Sequence, residues 1–353
     1  GTRSLGVDYP LQFIQRRQLQ LVLPVYVSVF SMMEIDMAKK VIISVIVLLL
    51  IVYAAGVVYE SVMEGKDREL FTPPGQLVDV NGHLMHIYCT GADTPGNPVV
   101  ILESGAGENL YNFWDLQSQI SKFARVCSYD RSGIGWSEAG SAAHTAGQKA
   151  DELDQLLQSA GVDGPYLLVG HSFGGLVARI YAARHPQDIA GLVLVDSTNA
   201  EDFSTYSPLL AKILPVDVYA GGFLQTAGFL RLFQIESGVL SESFTYLSPD
   251  LAPAARALAL RAKTLRTAAV EIFFLSDSSR EAITAGDLGN IPVIAFITSA
   301  EEDGSFPENY EEHFRQLSTH SEVHRVDGSH YVHMEHPALV IQAIQSILEN
   351  PAD

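Results

Sequence analysis

The sequence is poor in basic residues: Lys and Arg number 22 against 41 Asp and Glu, which gives a formal net charge of −19. No basic patch with interleaved aromatic residues occurs, which argues against a nucleic-acid partner. The sequence also has no internal repeat, no low-complexity tract and no dinucleotide-binding fingerprint. The glycines of residues 170–175 lack the lysine and the spacing of a phosphate-binding loop. We therefore predict no nucleic-acid partner and no cofactor.

A metal site is not predicted either. His330, His333 and His336 are spaced three apart, a spacing that places side chains on one face only in a helix. Gly328 and Pro337 flank these histidines and favour a loop. Zinc is therefore not expected there.

A long apolar run is present near the N-terminus. Residues 41–59 carry no charge and follow Lys39 and Lys40, and about 20 apolar residues suffice to span a bilayer. The lysines predict that the preceding chain is cytoplasmic. We predict a signal anchor and linker over residues 37–64, with the catalytic domain on the extracytoplasmic side. The alternative is a cleaved signal peptide and a secreted protein.

The stretch before this run fits no pattern. Residues 1–36 stay unassigned, and Met37 looks like a natural start, so we expect an upstream extension. A polar segment ends in Pro73 and Pro74, which is a boundary signal.

Apolar runs alternate with helical patterns along the rest of the chain. Residues 99–102 and 192–195 are continuously apolar, as is typical of strands that are buried on both faces. The alternation predicts an α/β fold, with an eight-stranded, mostly parallel sheet and helices on both faces. The predicted strands are 76–80, 83–89, 98–103, 125–130, 166–171, 190–196, 291–298 and 321–327. The predicted helices are 112–122, 145–160, 173–185, 308–318 and 336–349.

The motif that carries chemistry is Gly-x-Ser-x-Gly at residues 170–174. It follows an apolar run and precedes a helical pattern, which is the context of a nucleophile elbow. In this tight turn, side chains larger than glycine at Gly170 or Gly174 would collide with neighbouring chain. The motif predicts that Ser172 is a nucleophile.

A serine nucleophile needs a base, an orienting acid and donors for the oxyanion. His330 lies between the last predicted strand and the last predicted helix, from where it can reach Ser172, and we predict that it is the base. The residues around Ala106 are glycines, which let the backbone approach a ligand. We predict that the backbone N–H groups of Ala106 and Phe173 form the oxyanion hole.

Together these motifs resemble the α/β-hydrolase superfamily, in its serine esterase-like branch. The other markers are ESGAG at 103–107, YDRSGIGWS at 129–137, GLVLVD at 191–196 and GSH at 328–330. The resemblance covers roughly residues 75–350. Many relatives have His-Gly where this chain has Ser104-Gly105, which changes the side chain beside the predicted oxyanion donor.

The resemblance implies an orienting acid after the seventh or, less often, the sixth strand. Asp196 ends the sixth predicted strand cleanly. After the seventh, the usual Gly-x-x-Asp turn is missing: Asp303 comes late, and Glu301 is in register without the glycine. We favour Asp196 as the acid, then Asp303, then Glu301.

The resemblance also implies a helical cap inserted after the sixth strand. Residues 199–288 are too long for a bare connection, and they would divide the hydrolase core into 65–198 and 289–353. In the family's sheet the second and fourth strands are neighbours, so Cys89 and Cys127 either form a cross-strand disulfide or stay reduced and buried.

The predicted function is hydrolysis of carboxylic esters with small to medium apolar acyl groups, through an acyl-enzyme intermediate. The alternatives are an amidase, a peroxidase-like enzyme or a lyase on the same scaffold, and a non-catalytic ligand-binding relative. A serine at the elbow argues against relatives that use Asp there, the epoxide hydrolases and haloalkane dehalogenases. The predicted partners are a small ester substrate and, through the N-terminal helix, a membrane. The sequence leaves the oligomeric state open.

Overall fold

The computed structural model describes residues 11–140, 144–205, 216–233, 242–298 and 309–350. The chain divides into two units, Gly1–Val57 and Val58–Asp353. The described part of the first unit belongs to one long helix, α1 (Leu11–Leu70). Its segment Asp36–Leu70 has a mean hydropathy of 3.1 in its most apolar window and is long and apolar enough to cross a membrane.

The second unit is built on a single eight-stranded sheet in the order β1-β2-β4-β3-β5-β6-β7-β8. The pairs β1–β2 and β2–β4 are antiparallel, and all other pairs are parallel. The predicted fold class and all eight predicted strands are confirmed. The strands are β1 (Gln76–Val80), β2 (His83–Thr90), β3 (Val99–Glu103), β4 (Val126–Asp130), β5 (Tyr166–His171), β6 (Ile189–Val195), β7 (Val293–Thr298) and β8 (Ser321–Val326).

Helices cover both faces of this sheet. Those that match the sequence prediction are α2 (Trp114–Ile120), α3 (Ala146–Ala160), α4 (Phe173–Arg184), α11 (Tyr310–Arg315) and α13 (Pro337–Glu349). A short helix that was not predicted, α12 (Val332–Glu335), contains His333 where we expected only a loop. Between β6 and β7 lie α5 (Ala200–Ser204), α6 (Val216–Thr226), α7 (Phe229–Leu232), α8 (Ala252–Ala259), α9 (Ala262–Phe273) and α10 (Leu275–Ala285).

The central strands are apolar along most of their length because each face of the sheet meets a separate core. Ile101 and Leu168 lie in the core shared with α3 and α4. Val100 and Val169 point to the opposite face and pack in the core that contains Ile344 of α13. Successive side chains of a strand alternate between the two faces of the sheet. In a strand that is covered on both faces, both sets of side chains therefore face a core. This packing fixes the carboxyl ends of the strands, where the candidate site lies.

The two cysteines form a disulfide across the antiparallel edge of the sheet. Cys89 of β2 is directly opposite Cys127 of β4, and the two are bonded. Of the two states that the sequence left open, the structure has the oxidised one.

The C-terminal part of α1 is anchored within the second unit by polar contacts. Residues that the sequence indicated as a polar linker are helical as far as Leu70. The Arg231 guanidinium lies 2.9 Å from Glu60 and 2.8 Å from Asp67, and Gln225 donates to Glu60 over 2.8 Å. These contacts tie residues 58–70 of α1 to helices α6 and α7 within the second unit. Burial of Glu60 there raises its pKa.

The helices between β6 and β7 do not all pack alike. Leu230, Phe244 and Leu258 share an apolar cluster with Leu110, which lies after β3. Helix α10 instead packs on α3, where the Ser278 hydroxyl accepts from the Ala146 N–H over 2.9 Å. The assignment of residues 199–288 as one cap stays a prediction, and residues 206–215 and 234–241 of this span lie outside the described residues.

Candidate active site

Ser172 lies in a sharp turn between β5 and α4. Its backbone has φ 51° and ψ −121°, a conformation that is costly for a residue with a side chain. A Cβ on Gly170 would lie 2.7 Å from the Gly175 Cα, and one on Gly174 would lie 2.4 Å from the Glu103 carbonyl oxygen. Both positions therefore require glycine, as expected for a nucleophile elbow. The Ser172 side chain remains partly exposed while its neighbours in the turn are buried.

His330 and Asp196 come together over 134 positions of sequence. The His330 Nδ1 lies 2.6 Å from the Asp196 Oδ2. The imidazole is 41% exposed and the carboxylate 11%, so the ring reaches solvent while its partner is largely covered. Nδ1 is the nitrogen that an orienting acid binds in a catalytic triad, because this leaves Nε2 for the nucleophile.

Asp196 is held rigidly at the end of β6. Its backbone N–H donates to the Phe296 carbonyl over 2.8 Å, and its Oδ1 accepts from the Thr298 N–H over 2.8 Å. Its φ of 40° lies in the left-handed region, where non-glycine residues cluster at functional sites. Burial raises its pKa, but the His330 and Thr298 hydrogen bonds outweigh burial and lower the pKa below its usual range. The other two acids that we considered, Glu301 and Asp303, lie outside the described residues.

The predicted oxyanion donors are the backbone N–H groups of Ala106 and Phe173. Neither group donates a hydrogen bond to any described residue. Ala106 lies in a turn whose neighbouring amides are occupied: the Gly105 N–H donates to Glu108 over 2.8 Å and the Gly107 N–H to Glu271 over 3.2 Å. Phe173 is the first residue of α4, and the N–H groups of a helix's first turn are free to bind an anion.

Arg131 fixes the loop that contains Ala106, a role that the sequence did not reveal. Its guanidinium donates to the Ser104 carbonyl and, over 2.7 Å, to the Gly105 carbonyl. It also pairs with Glu103 over 2.6 Å and with Glu271 of α9 over 2.8 Å. All three charged side chains are at most 2% exposed. The loop is therefore held from β4 and from a helix inserted after β6.

Glu108 and His171 form a second buried pair directly behind the elbow. The Glu108 carboxylate lies 3.0 Å from the His171 Nδ1, and the His171 Nε2 lies 2.9 Å from the His330 carbonyl oxygen. The sequence did not indicate a role for Glu108. The available signal was an acidic residue directly after the small residues 104–107.

These two residues and His333 also make the one group of possible metal ligands found among the described residues. Their nearest ligand atoms lie within 4.8 Å of one another, and all three are buried. Both ring nitrogens of His171 already face oxygen acceptors, so a metal would have to displace one of these contacts. The arrangement fits an ion pair better than an open metal site.

Comparison with known proteins identifies the family. A family model described as the alpha/beta hydrolase fold matches residues 97–337, which is well over half of the chain. The chain therefore belongs to the alpha/beta hydrolase family. An AB hydrolase superfamily protein of Gibberella zeae is 26% identical over 289 residues, covering 72% of this chain and 88% of that protein.

Solved structures show the same fold. The epoxide hydrolase CorEH superposes with a TM-score of 0.60 at 19% identity, covering 78% of this chain and 98% of the other. A thermophilic esterase from Thermogutta terrifontis superposes with a TM-score of 0.56 at 22% identity, covering 78% and 97%. The chain covers only part of some curated relatives, for example 36% of an uncharacterized protein of Schizosaccharomyces pombe that is 28% identical over 199 residues, or 49% of this chain. Family and fold thus support a hydrolase without specifying its substrate.

Proposed function

We propose that the chain is a serine hydrolase that cleaves carboxylic esters of small to medium apolar acyl groups. The observation that carries this proposal is the 2.6 Å contact between the His330 Nδ1 and Asp196. Ser172 has the strained elbow conformation, and the ring of the preceding residue, His171, lies 4.5 Å from the His330 ring. A lone elbow serine is inert at neutral pH, and an oriented imidazole is what activates it.

The proposed reaction gives each of these groups one role. The Ser172 Oγ attacks the ester carbonyl carbon while the His330 Nε2 takes the hydroxyl proton, and the Asp196 carboxylate stabilises the resulting imidazolium. The N–H groups of Ala106 and Phe173 donate to the oxyanion. The intermediate collapses to an acyl-serine as the alcohol leaves with the proton from His330. Water then attacks the acyl group by the same sequence of proton transfers and releases the acid.

The choice among hydrolase chemistries rests on the elbow residue. The epoxide hydrolase neighbour shares only the fold, because 19% identity does not transfer a reaction. Ser172 stands where that class carries an aspartate nucleophile. A hydroxyl nucleophile supports acyl transfer through an acyl-enzyme.

A fluorophosphonate probe and a substrate panel test the proposal. The probe should label wild-type protein and not Ser172→Ala. The protein should hydrolyse p-nitrophenyl esters of short to medium chain length and turn over the matching anilides far more slowly. Absence of labelling would mean a non-catalytic protein, and faster turnover of anilides would mean an amidase.

We further propose that the N-terminal helix anchors the protein in a membrane, with the catalytic domain on the extracytoplasmic side. The apolar segment, the preceding Lys39 and Lys40 and the disulfide, which belongs to oxidising compartments, support this placement. The full chain should resist carbonate extraction. A mature N-terminus near residue 55 would instead establish a secreted enzyme.

The contacts of Arg231 predict different stabilities for two shortened chains that lack the apolar segment. A chain shortened to start at Val58 keeps Glu60 and Asp67, whereas one that starts at Gly65 leaves Arg231 without Glu60. Breaking a partly buried pair by removing one partner destabilises the protein. Both shortened chains should be soluble and active, with the lower Tm in the one that starts at Gly65. Equal Tm values would show that the Glu60 contact contributes nothing.

A further inference from the structure

His171 lies between two hydrogen-bond acceptors in a site closed to water. Its Nδ1 faces the Glu108 carboxylate at 3.0 Å and its Nε2 faces the His330 carbonyl oxygen at 2.9 Å. The His171 side chain is 0% exposed and that of Glu108 is 3% exposed. A carbonyl oxygen only accepts, so Nε2 must carry hydrogen. The Nδ1–carboxylate contact needs a second proton, on either the ring or the carboxyl group. The pair therefore holds one proton more than a carboxylate and a neutral imidazole.

The pair joins three segments that the proposed reaction requires. Glu108 accepts from the Gly105 N–H over 2.8 Å, beside the oxyanion donor Ala106. His171 is the residue before Ser172. Through Nε2 it bonds to the backbone of His330, and the two imidazole rings have centroids 4.5 Å apart. The three segments come from distant parts of the chain, and this pair contacts all of them.

The other groups around His171 do not compete for its proton. The His333 ring lies 4.4 Å away and the Tyr331 ring 5.5 Å away. Burial and the charge on His171 hold the pKa of His333 well below its usual range, so His333 stays neutral. Glu108 is therefore the carboxylate in direct contact with the His171 ring, while Asp196 is engaged by His330.

We propose that Glu108 and His171 are a positioning pair, which holds a proton permanently and uses it to fix the His330 backbone and the oxyanion loop together. This positioning role rests on the proposed ester hydrolysis. Neither residue touches the reacting atoms in that mechanism, so both act through His330 and the oxyanion loop. A buried ion pair is weak evidence for stability, because apolar residues of similar volume often stabilise a fold as well or better. The hydrogen bonds to Gly105 and His330 give this pair a geometric function that apolar residues could not supply.

Two substitutions of Glu108 separate hydrogen bonding from packing and charge. In Glu108→Gln the amide oxygen still accepts from Gly105, and the amide NH2 donates to a neutral His171 that keeps its bond to His330. In Glu108→Ala both bonds are lost. We expect Glu108→Ala to lower kcat on the order of a hundredfold with little change in KM. Glu108→Gln should restore kcat to within about threefold of wild type.

His86 supplies a matched control. It is equally buried, with its Nδ1 3.0 Å from Asp130 and its Nε2 facing the Pro74 carbonyl oxygen, but it contacts neither His330 nor the oxyanion loop in the structure described. His86→Gln should lower Tm and leave kcat unchanged. If Glu108→Ala loses activity only in proportion to unfolded protein, as His86→Gln would, the positioning role is wrong.

Nitrogen NMR of the His171 ring gives a readout that does not depend on ester hydrolysis. Wild-type spectra should show hydrogen on Nε2 and a proton shared between Nδ1 and Glu108, and Glu108→Gln should leave Nδ1 unprotonated. A wild-type His171 ring that carries one hydrogen and shares no proton with Glu108 would overturn the proposal. Wild-type protein that binds stoichiometric zinc, and loses it in Glu108→Gln, would overturn it as well. An inactive wild type with the expected spectrum would refute the ester hydrolase and leave the proton assignment standing.

Discussion

Two histidine–carboxylate pairs lie side by side in this molecule and differ in what their second ring nitrogen does. The His330 ring, bound to Asp196 through Nδ1, is 41% exposed, and its Nε2 has no partner within the described part of the chain. The His171 ring, bound to Glu108 through Nδ1, is 0% exposed, and its Nε2 is bonded to a carbonyl oxygen. The same two functional groups therefore give one ring that can exchange a proton with a substrate and one that cannot.

Exposure and the second bond together separate the two functions. A general base must lose and regain a proton during each turnover, so it needs an unoccupied nitrogen that faces the reactants. A ring whose two nitrogens both face acceptors keeps its protons and serves as a fixed donor. This difference supports our proposals of catalysis for His330 and positioning for His171, although His171 is adjacent to Ser172 in sequence.

The largest loss of activity should come from substitution of Ser172, the nucleophile that we propose His330 activates. Ser172→Ala removes the nucleophile and should lower ester hydrolysis by at least about a thousandfold. Its thermal stability should change little, because the side chain is not part of a core. Near-normal turnover, measured with p-nitrophenyl acetate after correction for contaminating esterase, would refute the serine mechanism.

A smaller but still large effect should follow from changing the acid of the exposed pair. Asp196→Asn should lower kcat by about a thousandfold, and by less than Ser172→Ala, because the nucleophile remains while the amide favours the wrong histidine tautomer. The same carboxylate-to-amide change at Glu108 should be tolerated, since that pair works through hydrogen bonds that an amide can reproduce.

Asp303→Asn is the matched control for the assignment of the acid. It should leave kcat close to the wild-type value. A larger loss at Asp303 than at Asp196 would reverse the assignment, and no loss at either would direct attention to Glu301.

Local pattern was enough to predict the sheet and the elbow. Strands such as β3 and β5 contain continuous apolar runs, because each strand is covered on both faces. The elbow is a contiguous motif that can be recognised in the sequence, although only the clash at Gly170 is with nearby chain, whereas a Cβ on Gly174 would meet the distant Glu103. Asp196 was favoured because it ends a clean strand, and the structure brings it within hydrogen-bond distance of His330.

Contacts between distant segments could not be predicted in the same way. Glu108 and His171 are 63 positions apart, and Arg131 and Glu271 are 140 apart. Nothing in the local pattern around Glu108 or Glu271 says which buried cation each will meet. Such pairs depend on the packed arrangement of loops, which one sequence does not encode in any short window.

The smallest effect concerns the pH dependence of stability, and it separates the buried pair from the exposed one. Burial opposes protonation of His171, but the Glu108 charge and hydrogen bond outweigh burial and raise the pKa of His171. The converse holds for Glu108, where burial is outweighed by His171 and the pKa falls to about 2.

A histidine whose folded pKa is raised stabilises the fold fully below its unfolded pKa of about 6.5, and this stability is lost as pH rises through the folded pKa. A carboxylate with a lowered pKa stabilises the fold above its unfolded pKa of about 4.3, and this stability is lost as pH falls through the folded pKa of Glu108, about 2. Wild-type stability should therefore fall on both sides of the interval from about 4.3 to about 6.5.

Denaturant unfolding of the full chain in detergent, across a pH series, measures this profile. In Glu108→Gln the fall above about pH 6.5 should become shallower. It should not vanish, because the pKa of His86 is also raised: burial opposes its protonation, and Asp130 overcomes burial. Asp196→Asn should keep the alkaline fall and lose part of the acid one, since the pKa of Asp196 is lowered. Parallel alkaline limbs in wild type and Glu108→Gln would show that His171 holds no additional proton in the folded state, and the contrast between the two histidine pairs would then rest on exposure alone.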